Sequence, residues 1–229
     1  PDPVTKLPGY LQFSFSAGNA PQEALHYLPL LDGARQSQLI EQLCEIISNH
    51  DCLPAKRGSV LLALSQLEPE HLARHSVRLA EVSLRALCDG LPSEHWGPHA
   101  SQEFSPFSSL RIDFGSITLI DRGAIALLGV LYAYLDESVR SEVAKELARA
   151  AASQDKHLRQ GAAIALYSQA NKVPFSTELS LTLSALIADK DDDVAGFAVR
   201  AAAIQISAFG HPAEAFLLAL CIRRLDDAK

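Results

Sequence analysis

The sequence contains no methionine, one tryptophan and four cysteines in 229 residues. The cysteines form no C-x-x-C pair, so the chain lacks a spacing that is typical of thiol zinc sites and redox motifs. Three of them lie in apolar helical stretches, which favours buried free thiols and a reducing, cytoplasmic compartment. A single bridge between Cys44 and Cys52 is the alternative. Because the chain starts at Pro1 without methionine, we expect either a domain of a longer protein or a numbering that omits residues.

Long apolar runs and strong positive charge are also missing. The longest uncharged apolar run, residues 123–135, is too short to cross a bilayer, so we expect no membrane insertion. The formal net charge of -7 disfavours a nucleic-acid partner, because such proteins neutralise phosphates with clustered lysine and arginine. An acidic surface suits solubility or a basic protein partner. With 48% hydrophobic and 21% charged residues, the composition is that of a globular protein.

Motifs of known catalytic chemistry are absent as well. The sequence has no G-x-S-x-G, no phosphate-binding glycine loop and no cysteine and histidine at a useful spacing. We therefore predict no cofactor, no metal and no catalytic residue. Because an enzyme can lack a recognisable motif, catalysis stays open as an alternative function.

A glycine recurs at the same point of four apolar helical segments. Gly58, Gly123, Gly161 and Gly196 are separated by 65, 38 and 35 residues. A period in the thirties is typical of stacked helical repeats. Glycine in a helix interior costs about 1 kcal/mol relative to alanine, so its recurrence predicts that a neighbouring helix backbone approaches closely at these positions.

Apolar residues recur at helical spacing from residue 21 onward, which predicts one helical domain over 21–229. Residues 1–20 are rich in proline and glycine and predict an irregular segment, with a short extended stretch at 11–15. Short connections predict antiparallel pairs in which each glycine helix pairs with the helix after it. An incomplete pair, about 21–31 with 34–50, is predicted to precede the four glycine pairs. The helices of those pairs are predicted at 54–67, 70–88, 117–135, 137–152, 155–170, 176–189, 193–209 and 213–225.

Two segments carry a resemblance to a known family of helical repeats. DKHLRQGAAIAL at 155–166 and DVAGFAVRA at 193–201 resemble the HEAT-repeat or armadillo-like α-solenoid pattern. That pattern has an acidic turn, a valine or leucine, often an arginine, and then spaced alanines. The second segment departs from it, because Ala195 stands at the arginine position and Arg200 comes five residues later.

This resemblance is clear over residues 117–225, fainter over 34–90, and absent in 1–20 and 91–116. It implies an all-α fold, a right-handed α-solenoid of about four to five antiparallel helix pairs. Such repeats serve as scaffolds, transport factors and inhibitors, and a few are enzymes such as DNA glycosylases and bilin lyases. The resemblance therefore implies an architecture rather than an activity.

An insertion at 91–116 interrupts the regular array and accounts for the long first glycine interval. It holds the only tryptophan, Trp96, together with Phe104, Phe107 and Phe114. Insertions in repeat proteins map to loops on one face, often the binding face, and exposed aromatic residues are typical interface anchors. The alternative is structural, with the rings covering the gap between two repeats.

The helix at 70–88 places polar side chains on one face, opposite its apolar stripe. As the second helix of its pair, it is expected to line the concave side of the solenoid. Its arginines are then available to an acidic partner surface, and the alternative is a solvated helix face. The polar side chains are His71, Arg74, His75, Arg78, Glu81 and Arg85.

Two histidine pairs, His71/His75 and His95/His99, have the i, i+4 spacing of helical zinc ligands. Glu70 precedes the first pair, so the H-E-x-x-H motif is not formed, and glycine and proline interrupt the second pair. We therefore expect surface histidines. In the acidic run at 189–193, we predict that Asp192 or Asp193 caps the next helix and that the rest is a solvated turn.

Together these patterns predict a protein-interaction module, acting as scaffold, adaptor or inhibitor, whose partner is another protein. One alternative is an enzyme or small-ligand binder that uses a groove near residues 70–99, and another is nucleic-acid binding through a local basic stripe. The predicted partner-binding residues are Trp96, Phe104, Phe107, Arg74, Arg78 and Arg85.

Overall fold

The structure is a computed structural model that describes residues 31–52, 54–67, 69–88, 119–210, 218–219 and 221–222. The described part is helical, with turns between the helices and no strand, so the predicted all-α class is confirmed. The irregular N-terminal segment, the insertion and most of the predicted helices at 21–31 and 213–225 lie outside the described residues. The helices are α1 (Gly33–Ser48), α2 (Pro54–Ser65), α3 (Pro69–Leu72), α4 (Ser76–Cys88), α5 (Leu119–Leu131), α6 (Glu137–Ala151), α7 (Lys156–Gln169), α8 (Thr177–Ile187) and α9 (Asp192–Phe209).

The apolar stripes read from the sequence form the core. In α1, Leu39, Leu43 and Ile47 are almost completely buried, and in α8, Leu179 and Leu183 are fully buried. The side chain of Cys44 also lies in this core. Burial, followed by the nearby Glu41 carboxylate, raises the pKa of the Cys44 thiol to about 11. Cys44 and Cys52 are both free, so the alternative of a bridge between them is wrong.

Acidic or hydroxyl side chains begin most of the described helices. The carboxylate or hydroxyl oxygen of the N-cap accepts a hydrogen bond from an otherwise unpaired amide of the first turn. The N-caps are Asp32 for α1, Asp136 for α6, Asp155 for α7, Ser176 for α8 and Asp191 for α9. The prediction that Asp192 or Asp193 caps the last of these helices is therefore wrong. Asp191 comes first and accepts from the amides of both Asp193 and Val194.

Helix packing arranges the described chain in two layers. The first layer contains α2, α5, α7 and α9, each packed on the next in that order. The second layer contains α1, α4, α6 and α8, again in chain order. The two layers share the buried core, and short turns join the consecutive helices from α5 to α9. None of the described helices is both long and apolar enough to cross a membrane.

The pairing between the layers differs from the predicted one. We expected α2 to pair with α4, but α2 packs more closely on α1, and α4 packs more closely on α5. Likewise α5 and α7 each make their closest second-layer contact with the helix before them. Helix α9 packs on α8, and most of its predicted partner at 213–225 lies outside the described residues. A short connection brings only the ends of consecutive helices together. The size of the facing side chains decides how closely the rest of the helices approach.

Two glycines allow the closest backbone approaches within the first layer. A Cβ added at Gly123 would lie 2.7 Å from Leu61 Cβ and 2.8 Å from the Gly58 carbonyl oxygen. A Cβ added at Gly129 would lie 2.7 Å from Ala165 Cα and still closer to its Cβ. The prediction of close approach is therefore confirmed at Gly123. At Gly196 the described residues do not show it, because none of their atoms lies within 4 Å of an added Cβ.

Candidate functional site

The three predicted arginines lie on the second layer, but they do not form a purely basic surface. Arg78 Nε lies 3.5 Å from Glu41 Oε2, and its Nη1 lies 3.9 Å from Glu81 Oε2. Arg74 and Arg85 are exposed. Because carboxylates from α1 and α4 surround the central guanidinium, this surface carries mixed charge. The predicted aromatic anchors Trp96, Phe104 and Phe107 lie outside the described residues, so the structure does not place them beside the arginines.

His71 and His75 are half-buried, and His75 contacts the Ser37 hydroxyl. His75 Nε2 lies 3.4 Å from Ser37 Oγ. The Ser37 hydroxyl donates to the Gly33 carbonyl at 2.9 Å, so its proton is already committed to the backbone and is not directed to the imidazole. Within the described ranges, no group of three or more histidine, cysteine, aspartate or glutamate side chains could hold a metal ion. This geometry does not pair His75 with a hydroxyl whose proton is directed to the imidazole, as an activated serine nucleophile requires.

Two small clefts open between the described helices. One has a volume of about 250 Å³ and is bordered by the end of α4 and the start of α5. The other, about 140 Å³, is lined by Arg85, His50 and Arg57, and the Arg57 Nε donates to the Ile47 carbonyl at 2.6 Å. Small-molecule sites usually have volumes of about 300–1,000 Å³, so neither cleft favours a small-ligand function.

The most distinctive described surface lies on the outer side of the first layer. We call it the α7–α9 patch, and it consists of Ile164, Tyr167, Phe197 and Arg200. Ile164 is 40% exposed and Tyr167 is 37% exposed, and both lie one turn apart on α7. The Tyr167 and Phe197 rings meet edge to face, with their centroids 5.9 Å apart. The Arg200 guanidinium lies 5.9 Å from the centroid of the Phe197 ring.

The patch contains residue types that are enriched in protein interfaces. Aromatic residues and arginine are enriched at interface hot spots, while other charged residues are depleted from interface cores. Arg200 is the only charged residue beyond the first turn of α5, α7 and α9. Among the described residues, no carboxylate lies within ion-pair distance of it. The patch therefore combines exposed apolar surface with one cation that no carboxylate of the described residues pairs with.

A buried ion pair fixes the two helices that carry the patch. Arg159 Nε donates to Asp189 Oδ2 at 2.6 Å, and Nη2 donates to Oδ1 at 3.2 Å. The remaining guanidinium nitrogen donates to the carbonyl oxygens of Ser153 and Gln154. The two charged side chains are only 9% and 8% exposed. Asp189 thus binds the start of α7 to the turn before α9. The prediction of a solvated turn is wrong at Asp189, while Lys190, Asp192 and Asp193 are exposed.

Protonation states in this turn follow from the same contacts. Burial raises the pKa of Asp189, but hydrogen bonds from Arg159 and from the Asp191 amide outweigh it, so the pKa lies below its ordinary value. The Lys156 ammonium lies 2.7 Å from Asp191 Oδ2. This hydrogen bond lowers the pKa of Asp191 and raises that of Lys156. All four groups are therefore charged at neutral pH.

A buried amide fixes the other end of the same helices. Gln205 is fully buried in α9, and its Nε2 donates to the carbonyl oxygens of Ala170 and Val173 at 2.8 and 2.7 Å. Its Oε1 accepts a hydrogen bond from the Phe175 amide at 3.1 Å. The turn after α7 is thus held against α9. With both ends fixed, the spacing between Tyr167 and Phe197 is preorganised.

The sequence contained a signal for this patch that the repeat pattern concealed. The core stripe of α7 includes Ala162, Ala165 and Leu166, and Ile164 and Tyr167 fall outside it. In α9 the buried stripe likewise leaves Phe197 and Arg200 on the other side. Large apolar residues off the core stripe indicate either an interface or a further packing layer.

Comparison with known proteins assigns no family to this arrangement. No family model matches the sequence, and no curated protein matches it closely enough to count as a relative.

Proposed function

We propose that this chain is a protein-interaction module, built as a right-handed HEAT-like α-solenoid, that presents a rigid helical surface to another protein. The order of the two layers supports the solenoid, because each helix packs on its predecessor and successor within its own layer. Gly123 and Gly129 support it further, since they let first-layer backbones approach. Pairs with too much apolar surface to bury alone gain their core by stacking.

The observation that carries the binding function is the α7–α9 patch. Exposed apolar residues scattered singly need no explanation, but here two of them adjoin an aromatic ring and an arginine that pairs with no carboxylate in the described ranges. Tyrosine and arginine provide much of the affinity in protein interfaces. The patch also lies on helices held at both ends, so little conformational entropy is lost when a partner binds.

The first binding prediction concerns Tyr167. We expect Tyr167→Ala to weaken capture of the native partner from cell extract at least tenfold, about 1.4 kcal/mol, because the exposed ring is a central anchor. Quantitative mass spectrometry of proteins retained by the immobilised chain measures the effect. Leu181→Ala is the matched control, since Leu181 is 66% exposed on the second layer, outside the patch. Equal loss of the same protein in both variants would contradict a specific role for the patch.

The second binding prediction keeps the site proposed from the sequence. In that site Trp96, Phe104 and Phe107 act together with Arg74, Arg78 and Arg85 on the second layer. Trp96→Ala combined with Arg78→Ala is expected to weaken partner binding while the circular dichroism and melting temperature remain those of a folded chain. Arg78 is about 40% exposed and its ion pairs are at the surface, so its loss costs about 1 kcal/mol of stability or less. Unchanged affinity in a pull-down would remove this second site from the proposal.

A further inference from the structure

We propose that the α7–α9 patch binds an acidic peptide segment, in which a carboxylate side chain adjoins an apolar or aromatic anchor. This inference rests on the proposed function and specifies the chemistry of the partner. It depends on charge complementarity within the patch, which is distinct from the charge of the whole chain.

Arg200, the cation of the patch, is the group that would bind the carboxylate of the peptide. Arg200 extends over the Phe197 ring and is exposed, and no described carboxylate pairs with it. A guanidinium binds a carboxylate in a bidentate geometry that adds orientation as well as energy. The stacked ring restrains the guanidinium, so fewer side-chain conformations are lost when an anion binds.

The distribution of carboxylates around the patch also favours an acidic peptide. Beyond their first turns, α5, α7 and α9 contribute no carboxylate to the first layer. In the second layer, by contrast, α1 and α6 carry glutamates beyond their first turns. These are Glu41, Glu45, Glu142 and Glu146. The chain is acidic overall, with a net charge of -7, so a described surface that has a cation and lacks nearby carboxylates is a favourable position for an acidic segment. This distribution selects the binding position.

The apolar side chains of the patch would bind the apolar or aromatic anchor of the peptide. Ile164 and Tyr167 lie one helical turn apart on α7, and the Tyr167 ring contacts Phe197 across the groove between α7 and α9. One apolar or aromatic side chain of the partner can pack on Ile164 and Tyr167 while a carboxylate a few residues away reaches Arg200. Two different anchors, one apolar and one ionic, define the register of the bound peptide.

A selection from a random peptide library displayed on phage tests this inference with the chain immobilised. We expect the wild-type chain to enrich peptides that combine Asp or Glu with an aromatic or large aliphatic residue. Arg200→Glu should reverse the charge preference toward Lys or Arg while the apolar preference remains. For one selected peptide, fluorescence anisotropy should show affinity at least tenfold weaker for Arg200→Glu than for wild type, and partial recovery when the peptide carboxylate is replaced by lysine.

Three other outcomes would contradict the acidic peptide, the patch itself or a protein partner. Enriched peptides that require Tyr167 but contain no acidic residue, and that bind Arg200→Glu equally well, would overturn the acidic partner and leave the proposed function standing. Peptides that bind Tyr167→Ala as well as wild type, or failure to enrich any sequence, would contradict the patch itself. A single-stranded oligonucleotide that displaces the selected peptide at physiological salt would overturn the inference in favour of a nucleic-acid site.

Discussion

Asp189→Ala is expected to lower the free energy of unfolding by about 3 kcal/mol, because it leaves the Arg159 guanidinium buried without its carboxylate. Arg159 makes two hydrogen bonds to Asp189, and both side chains are less than 10% exposed. Loss of one partner from a buried pair typically costs about 3–5 kcal/mol, and the remaining exposure places this pair at the low end. Urea unfolding followed by circular dichroism measures the difference from the shift of the midpoint.

A matched surface pair provides the control for this effect. Arg149 Nε lies 2.7 Å from Glu146 Oε2, a distance similar to that in the buried pair, but the Arg149 side chain is 61% exposed. Glu146→Ala should therefore cost about 0–1 kcal/mol. If Asp189→Ala and Glu146→Ala had the same small effect, the pair would not hold α7 to the turn before α9.

Acid pH should remove the contribution of Asp189. Its pKa is lower in the folded chain than in the unfolded chain, so its stabilisation is present above the ordinary carboxyl pKa and disappears as pH falls through the folded value. The difference between wild type and Asp189→Ala should therefore stay constant from pH 7 to about pH 5 and shrink below about pH 4. A difference that grew on acidification would contradict the assigned protonation.

Gly129→Ala is expected to lower the free energy of unfolding by about 2–3 kcal/mol, although alanine is the better helix former. The added Cβ would lie 2.7 Å from Ala165 Cα, which belongs to the backbone and cannot rotate away. Helices α5 and α7 must therefore separate, which loosens the packing of the first layer. The midpoint of urea unfolding again reports the change.

Gly196→Ala is the matched substitution with the opposite expected sign. It is also a glycine inside a first-layer helix, but no atom of the described part of the chain lies within 4 Å of the added Cβ. Without a clash, the higher helix propensity of alanine should stabilise the chain by about 0.5–1 kcal/mol. Destabilisation by both substitutions would mean that α9 has a neighbour at Gly196, and stabilisation by both would contradict the close approach of α5 and α7.

The sequence predicted the helices well because burial and helical period coincide. Leu39, Leu43 and Ile47 repeat at the spacing of one helix face, and all three are in the core. Gly123 was predicted to allow close approach, and the Gly58 carbonyl does lie beside it. Gly129 was missed, because a glycine that lies outside the repeat register has no periodic signal.

Other features depend on contacts between distant residues and could not be read from local pattern. Asp189 and Arg159 are separated by 30 residues, and nothing local distinguishes Asp189 from the solvated aspartates beside it. Gln205 resembles any polar residue in a helix until the turn after α7 folds against it. The α7–α9 patch arises only when Tyr167 and Phe197, from successive first-layer helices, become neighbours. Helix period predicts which face is buried, but layer order decides which exposed residues meet.

The affinity of the purified partner for three forms of the chain shows whether the α7–α9 patch binds it through Tyr167. Titration calorimetry should compare wild type, Tyr167→Ala and Leu181→Ala at one salt concentration, with equal melting temperatures confirming that all three are folded. We expect Tyr167→Ala to bind at least tenfold more weakly and Leu181→Ala to bind like wild type. Wild-type affinity in Tyr167→Ala would contradict this expectation, because the exposed ring would then contribute nothing to recognition.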